Sequence, residues 1–461
     1  MAYLTLLPKV QRGNVYQVVV IITASLVALS SGIFITWPSP SIPILLSKEY
    51  SVTISMEEAN VLIILPSIAI VLSSPVAGKL IDSIGRKKTL MLIAAMQFIT
   101  WLLIAFGNSK ATFFLARILN GIEDSCAFAA LPSYISEVAT PKIRGTWGNT
   151  IAFLVYFGNF IMNVVGTYCS IPVTSMIFAV IPLVFLVVFA FFPESPYYLL
   201  ITGRDNEART ALSLLRSGDI DGELMQLKAD IDRQLSESGG YKDLFTIPSN
   251  RRAVLVGAFV RGAQQFSGIT VFLMYAQLIF QESAGEVSAS MCAIIFSAFM
   301  VFTNLISSCL IDIIGRRLSM FISSLGCAVF LAIQAVYYYL KSYSDIDVEN
   351  LRLVPLICMV VFIIFYSLGL GVVPTLMLGE LFSSRIKGKA LCLMNLSFGV
   401  YIASSSGLFS LFMVNYGLSA AFGFFALCCF TTSLLSYMLV PETRGKTLEE
   451  IQQLFRTQTK I

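Results

Sequence analysis

Twelve runs of about twenty mostly apolar residues follow one another along this chain of 461 residues. A helix of that length spans the hydrocarbon core of a bilayer, because each residue adds about 1.5 Å of rise. The composition, 56% hydrophobic and 13% charged, is also far more apolar than that of soluble domains. The runs predict membrane helices at about 15–37, 58–79, 89–108, 111–134, 146–169, 173–192, 253–280, 288–311, 318–340, 354–378, 389–413 and 418–440.

A repeated segment divides these twelve runs into two sets of six. The sequence GKLIDSIGRKK at 78–88 returns as SCLIDIIGRR at 308–317, and further matched pairs follow both copies. Parallel repeats of this kind are typical of transporters built from two halves. The chain is therefore predicted to contain an N-terminal six-helix half at 1–192, a linker with short amphipathic helices at 193–252, a C-terminal half at 253–440 and a tail at 441–461.

The distribution of Lys and Arg predicts the orientation of the helices. Seventeen cations outside the linker fall on the side of the repeated loops, and four fall on the other side. Because cytoplasmic loops are enriched in cations, both termini are predicted to be cytoplasmic in a multi-pass protein of the cell membrane.

Several function classes have no support in the sequence. There is no histidine, the nine cysteines fall in or near apolar runs, and neither a phosphate-binding loop nor a nucleophile elbow occurs. Basic tracts with interleaved aromatics are also missing. The protein is thus not expected to be an enzyme, and no cofactor, metal, nucleic acid or obligate protein partner is predicted. The expected partners are the lipid bilayer and a small-molecule substrate.

An ordered set of motifs gives the chain a family resemblance. These are DSIGRKK at 82–88, ARILNG at 116–121, YISEVATPKIRG at 134–145, PESPYYL at 193–199, QQFSG at 264–268, IDIIGRR at 311–317, GLGVVPTLMLGELFSSRIKG at 369–388 and PETRGKTLEEI at 441–451. Together they resemble the sugar porters of the major facilitator superfamily, in particular the facilitated trehalose transporter branch. The resemblance implies an all-α membrane protein of twelve helices in two six-helix halves. It also implies facilitated diffusion of a mono- or disaccharide, such as a hexose or trehalose, by alternating access.

The resemblance assigns the charges of the repeated loops to a clasp that closes the cytoplasmic side in one state and breaks when the halves rock. Opposite charges at interfacial depth attract without the full cost of burial. The alternative is that these charges only set the membrane topology and lie at solvated loop ends. The clasp residues are Asp82, Arg86, Glu137, Arg144 and Glu194 in the first half, and Asp312, Arg316, Arg317, Glu380, Lys387 and Glu442 in the second.

Two adjacent glutamines in the seventh run carry the sugar site that the resemblance implies. Lipid offers an amide no hydrogen-bond partner, so Gln264 and Gln265 need polar partners within the protein or its substrate. The alternative is hydrogen bonding between helices. Other positions differ from the usual family pattern. Thr270 stands where the family usually has Asn, Met274 stands at the first position of a Tyr pair, and Ala152 aligns with the usual Gln. The remaining candidate substrate ligands are Tyr275, Thr375 and Asn395.

Glycine and proline interrupt the tenth run. Gly369, Gly371 and Pro374 loosen a helix and free its carbonyl groups, which predicts a bending point that gates the cavity. Close packing of helices is the alternative.

Four ionisable residues fall inside predicted spans, namely Arg117, Glu123, Asp124 and Arg261. A charge at mid-membrane costs about 2.5–3.5 kcal/mol on insertion scales, so it normally faces a cavity or a partner. Arg261 lies three and four residues before the glutamines, on the same helix face. We therefore expect Arg261 to pair with Glu123 or Asp124, and Arg117 to make a structural pair near a helix end.

These charges leave alternative functions open. A free Arg261 would favour an acidic sugar or organic anion, and Glu123 or Asp124 could carry a coupled proton. The first-span Asp of proton-coupled members is missing, with Ser31 near its place. A sugar sensor that binds without transport is a further alternative.

Overall fold

The computed structural model describes residues 9–47, 50–236, 240–282, 287–344, 351–382, 386–444 and 450, and these ranges contain helices and no strand. The first half contains α1 (Lys9–Ala24), α2 (Leu26–Thr36), α3 (Pro38–Leu46), α4 (Met56–Ile84), α5 (Arg86–Phe106), α6 (Lys110–Val138), α7 (Pro141–Trp147), α8 (Thr150–Tyr168) and α9 (Ile171–Phe189). Four short helices follow: α10 (Pro196–Ile201), α11 (Asp205–Leu215), α12 (Ile220–Ser236) and α13 (Asp243–Thr246). The second half contains α14 (Pro248–Gln265), α15 (Ile269–Met274), α16 (Ala276–Gln281), α17 (Ala289–Ile314), α18 (Arg316–Tyr343), α19 (Val354–Leu368), α20 (Val373–Glu380) and α21 (Lys387–Leu439).

These helices combine into twelve membrane spans. Within the described ranges, nine helical stretches are long and apolar enough to cross a bilayer. The stretch at 388–439 counts as two spans, because it reverses at Gly417, where φ is 81°. Its two arms pack together, with ring centroids 5.0 Å apart for Phe412 and Phe424. The other two spans are α6, which carries the predicted charges, and the broken series α14 to α16. The all-α fold of twelve helices is therefore confirmed.

Large apolar side chains cover the outside of this bundle. Leu72, Phe191 and Met438 are each more than 70% exposed. Lipid tails are as apolar as these side chains, so exposure of this kind is stable in a bilayer and unfavourable in water. The chain is a multi-pass membrane protein.

The two copies of the repeated loop have the same backbone conformation. Gly85, between α4 and α5, has φ 95° and ψ 166°, and Gly315, between α17 and α18, has φ 91° and ψ 157°. Residues with a side chain avoid this region, so each turn requires glycine. We call the end of the bundle that carries Gly85 and Gly315 the motif end, and the other end, which carries Tyr50 and Ser288, the opposite end.

The linker helices pack against the first half at the motif end. The side chain of Gln17 in α1 donates to the carbonyl of Leu215 at 2.7 Å and accepts from the amide of Thr140 at 2.8 Å. Arg216 donates to the carbonyl of Val138 at 2.8 Å. These bonds hold α11 beside the ends of α1 and α6.

Three spans are interrupted within their length. The first breaks between α2 and α3 at Trp37, because Pro38 has no N–H to continue the helix. The seventh breaks at Gly268, where φ is 89°, and the tenth breaks between α19 and α20. Each break frees backbone groups that the surrounding helices must satisfy. All three lie around one internal cavity.

Candidate functional site

A cavity of about 160 Å³ lies between the two halves. Helices α4, α6 and α8 contribute polar lining residues from the first half: Ser67, Arg117, Asn120, Asp124, Tyr156 and Asn159. The second half contributes Arg261, Gln264, Gln265, Thr270 and Tyr366. The cavity therefore combines uncharged amides, aromatic rings and three charged side chains in one space.

Gln264 and Gln265 enter this cavity because α14 ends with them. Ser267 caps the helix by donating to the Gln264 carbonyl at 2.7 Å, and Gly268 then turns the chain. Gln264 Nε2 lies 3.5 Å from the Gly371 carbonyl, and Gln265 Oε1 accepts from the Thr270 hydroxyl at 2.7 Å. The structure thus brings together three of the six predicted substrate ligands.

The other three predicted ligands lie elsewhere. Tyr275 is fully buried at the break between α15 and α16, where its hydroxyl donates to Asn60 Oδ1 at 2.6 Å. Thr375 is exposed in the first turn of α20, and Asn395 is half-buried in α21. Helix periodicity predicts the face of a side chain but not its depth relative to a cavity, so these positions could not be resolved from sequence.

Asn159 is a candidate ligand that the sequence reasoning missed. Its side chain is 1% exposed and lines the cavity, and neither amide atom has a hydrogen-bond partner in the described part of the chain. A buried amide without partners is unfavourable, so a polar substrate would stabilise it. The signal was an Asn inside the apolar segment VYFGNFIM, the same kind of signal that identified Gln264.

Arg117 satisfies carbonyl groups that two prolines leave free. In a helix, the carbonyls of Phe34 and Leu62 would accept from residues 38 and 66, but both are prolines and have no N–H. Arg117 Nη1 donates to Phe34 O at 2.9 Å, and Nε donates to Leu62 O at 3.2 Å. Nη1 also donates to Asn120 Oδ1 at 3.0 Å. Its role is therefore to join α2, α4 and α6, which differs from the predicted pairing near a helix end.

The expected pairing of Arg261 with Glu123 or Asp124 is wrong. Glu123 points into the first half, where Thr100 donates to its Oε1 at 2.5 Å. Asp124 faces the cavity and accepts from Asn120 Nδ2 at 3.3 Å. Arg261 instead donates to Gln264 Oε1 at 3.0 Å, and its guanidinium lies over the Phe398 ring at 4.7 Å. Adjacent helical residues point about 100° apart, so Glu123 turns away from the cavity when Asp124 faces it.

The break in the tenth span adjoins the cavity. Gly369 packs so closely against α18 that a Cβ atom would lie 2.3 Å from the Ser319 carbonyl. The amide of Leu370 donates to the Ser323 hydroxyl at 3.0 Å, and the freed Gly371 carbonyl faces Gln264. Pro374 lies in the first turn of α20. Close packing and a helix break thus occur together, and gating by Gly369, Gly371 and Pro374 stays a prediction.

Four of the five predicted clasp residues of the first half, all except Arg144, form one cluster around Gly85. Arg86 Nε lies 3.1 Å from Glu137, and its Nη2 lies 3.5 Å from Asp82. Glu194 accepts from the amide of Lys87 at 2.9 Å, which places a carboxylate at the N-terminus of α5. Ser195 donates to Glu137 as well.

The second half repeats this cluster around Gly315. Arg316 Nη2 lies 3.1 Å from Glu380, and Glu442 accepts from the amides of Arg316 and Arg317 at 3.1 Å each. Thr443 donates to Glu380 at 2.5 Å, in the place of Ser195. The Asp312 and Lys387 side chains lie outside the described residues, and Arg144 is exposed. In this conformation the described contacts join residues within each half, so bridging between the halves stays a prediction.

Several hydrogen bonds between the halves occur towards the opposite end of the bundle, whereas the bond from Asn149 Nδ2 to Asn304 Oδ1, at 3.4 Å, lies nearer the motif end. Besides the Tyr275–Asn60 bond, the amide of Gln277 lies 3.4 Å from the Ser39 hydroxyl, and Gln277 Nε2 donates to the Thr167 hydroxyl at 3.1 Å. These contacts separate the cavity from the opposite end. On the other side of the cavity, Phe128 and Phe398 meet edge to face with centroids 5.8 Å apart.

Solved structures of a bacterial transporter are similar in fold to this chain. The partially occluded inward-open conformation of the xylose transporter XylE from E. coli has a TM-score of 0.77 at 20% identity, covering 94% of this chain and 99% of that chain. Its inward-open conformation has a TM-score of 0.75 at 21% identity, with 95% and 99% covered. At these identities the likeness shows the fold alone.

Sequence relatives identify the family. The chain is 31% identical over 384 residues to the facilitated trehalose transporter Tret1 of Culex quinquefasciatus, covering 82% of this chain and 73% of that protein. It is 29% identical over 446 residues to Tret1 of Drosophila grimshawi, covering 95% of this chain and 47% of that protein, so it spans about half the length of this relative. Residues 18–455 match the family described as sugar (and other) transporter. The chain belongs to this family of sugar transporters.

Proposed function

We propose that this protein transports a mono- or disaccharide of the hexose or trehalose type across the cell membrane by facilitated diffusion. The observation that carries the proposal is the cavity between the halves, with the amides of Gln264, Gln265 and Asn159 on its walls. Amides both donate and accept, which suits the many hydroxyl groups of a sugar. The rings of Tyr156 and Tyr366 add apolar surface for the sugar's C–H faces.

Alternating access would begin with the loss of the contacts at the opposite end. The bonds of Tyr275 and Gln277 to the first half close that end, and they would break when the halves rock. In the resulting state the motif end closes, and there we expect Glu137 and Arg144 to approach Glu380 and Lys387 as a clasp. The excess of cations at the motif end supports a cytoplasmic location for that end and for both termini.

Asp124 gives specific support to a second candidate, proton-coupled sugar transport. Its side chain is 3% exposed, lines the cavity, and has one oxygen without a hydrogen-bond partner among the described residues. A carboxyl group in such a place could take up a proton together with the substrate. Uphill sugar uptake driven by an imposed pH gradient would favour this candidate over facilitated diffusion.

The test is uptake of labelled glucose and trehalose by the purified protein in proteoliposomes. Loss of one amide that bonds the substrate should weaken binding about tenfold, so Gln265→Ala should raise KM by roughly that factor. The matched control is Asn415→Ala, which removes an exposed amide that donates to the Leu411 carbonyl of its own helix. Sugar binding without flux would identify a sensor and refute transport.

A further inference from the structure

The charges that line the cavity do not balance. Arg117 and Arg261 contribute two cations, and Asp124 contributes one anion. Glu123 does not restore the balance at the cavity wall, because it faces Thr100 inside the first half. If Asp124 is assigned to one arginine, the other cation remains uncompensated by the described lining residues.

Asp124 belongs with Arg117. The two side chains are linked through Asn120, which accepts from Arg117 at 3.0 Å and donates to Asp124 at 3.3 Å. Arg117 also donates hydrogen bonds to the carbonyls of Phe34 and Leu62, which fix its side chain in the first half. Arg261 is therefore the surplus cation.

Among the described residues, the contacts of Arg261 are with uncharged side chains. It donates to Gln264 and lies over the ring of Phe398, while its Nε is buried without a hydrogen-bond partner in the described part of the chain. No carboxylate among the described residues forms an ion pair with it. A guanidinium carries five N–H donors and stays charged, so this site favours an anion. An anion at this position would enter from the cavity.

We propose that Arg261 forms a carboxylate-binding subsite of the sugar cavity, and that sugar acids are therefore among the sugars that the protein transports, with a preference over their uncharged analogues. A planar carboxylate matches the paired donors of a guanidinium, including the Nε that now lacks a partner. The unpartnered amide of Asn159 and the side chain of Gln265 are then available to the sugar hydroxyls. This inference rests on the proposed function, since it names the class of sugar that the same cavity takes.

Three sugars of one ring shape test the subsite in wild-type proteoliposomes. Glucuronate carries a carboxylate where glucose carries a hydroxymethyl group, and glucuronamide is its uncharged isostere. We expect glucuronate to be taken up with a kcat/KM roughly tenfold or more above that of glucuronamide, as for a charge-assisted hydrogen bond. Equal uptake of the two, or rejection of glucuronate while glucose is transported, would overturn the subsite and leave the sugar transporter intact. Failure of all three sugars to move would overturn both proposals.

Variants of Arg261 separate its charge from its packing. Arg261→Gln keeps a hydrogen-bond donor and should reduce the ratio of kcat/KM for glucuronate to that for glucuronamide to about one. Arg261→Lys keeps the charge and should retain part of the preference. The control is Arg209→Gln, which removes an exposed guanidinium paired with Asp221 at 2.8 Å in the linker helices, and should leave the preference unchanged. If Arg261→Gln does not fold, the comparison of the three sugars in the wild type decides the question alone.

Discussion

Replacement of Arg117 by methionine tests whether one side chain holds the broken first and second spans together. Methionine keeps much of the length and removes every donor. The carbonyls of Phe34 and Leu62, which Pro38 and Pro66 leave free, would then be buried without partners. Each unsatisfied carbonyl costs about 1–3 kcal/mol, so the two together should cost about 2–6 kcal/mol. Asp124 would also lose its linked cation, which adds to this loss.

The assay is thermal unfolding of the detergent-purified protein without substrate, monitored by intrinsic protein fluorescence. Arg117→Met should lower the unfolding temperature by several degrees. Arg209→Met, which breaks an exposed ion pair at 2.8 Å, should cost under about 1 kcal/mol. Arg117→Lys should be intermediate, because one ammonium group cannot reproduce the geometry of the guanidinium.

A rescue experiment makes this reasoning refutable. Pro38→Ala and Pro66→Ala restore the N–H groups that a helix would direct at the Phe34 and Leu62 carbonyls. Added to Arg117→Met, the two changes should recover part of the lost stability. A stable Arg117→Met protein, or no recovery on adding the proline changes, would show that the freed carbonyls are not what Arg117 stabilises.

Three further predictions concern the two ends of the bundle. Gly85→Ala should lower the unfolding temperature more than Gly203→Ala. Both glycines have positive φ, but at Gly85 a Cβ atom would also lie 2.5 Å from the Glu194 carboxylate. Equal decreases in unfolding temperature would contradict this crowding. Tyr275→Phe removes the hydrogen bond to Asn60 and should favour opening of the opposite end by roughly fivefold, seen as longer distances between spin labels on the two halves; an unchanged distance distribution would exclude the bond as a closing contact. Burial raises the pKa of Glu442, but hydrogen bonds from three backbone amides outweigh this effect and hold the pKa below its ordinary value. The ionised carboxylate therefore stabilises the fold at pH values above its unfolded-state pKa. The difference in unfolding temperature between the wild type and Glu442→Gln should shrink as the pH falls from about 7 to below about 4.

The architecture could be predicted from the sequence because a bilayer strongly restricts the backbone structures that can span it. Backbone groups in a bilayer must be satisfied within helices, so length and apolarity alone identify most spans. The repeated glycine loop was equally informative, since Gly85 and Gly315 adopt a backbone conformation that few other residues tolerate. These features are local, and local features can be read from a sequence.

The partners of the buried charges were not predictable in this way. Spacing placed Arg261 and Gln264 on one helix face, and they do form a hydrogen bond at 3.0 Å. Spacing could not show which neighbouring helix each face meets, so the proposed partner of Arg261 was wrong. Arg117 contacts the carbonyls of Phe34 and Leu62, which lie 83 and 55 residues before it in the sequence. Such long-range relations require the packed structure.

Sugar flux under an imposed pH gradient tests the central claim, facilitated diffusion through the cavity, most directly. The measurement is the time course of labelled sugar uptake into proteoliposomes, with and without a proton gradient. We predict that internal sugar rises to the external concentration and no further, at a rate that preloading with unlabelled sugar increases and that the gradient leaves unchanged. Accumulation above the external concentration when the gradient is applied would contradict facilitated diffusion and favour proton coupling through Asp124.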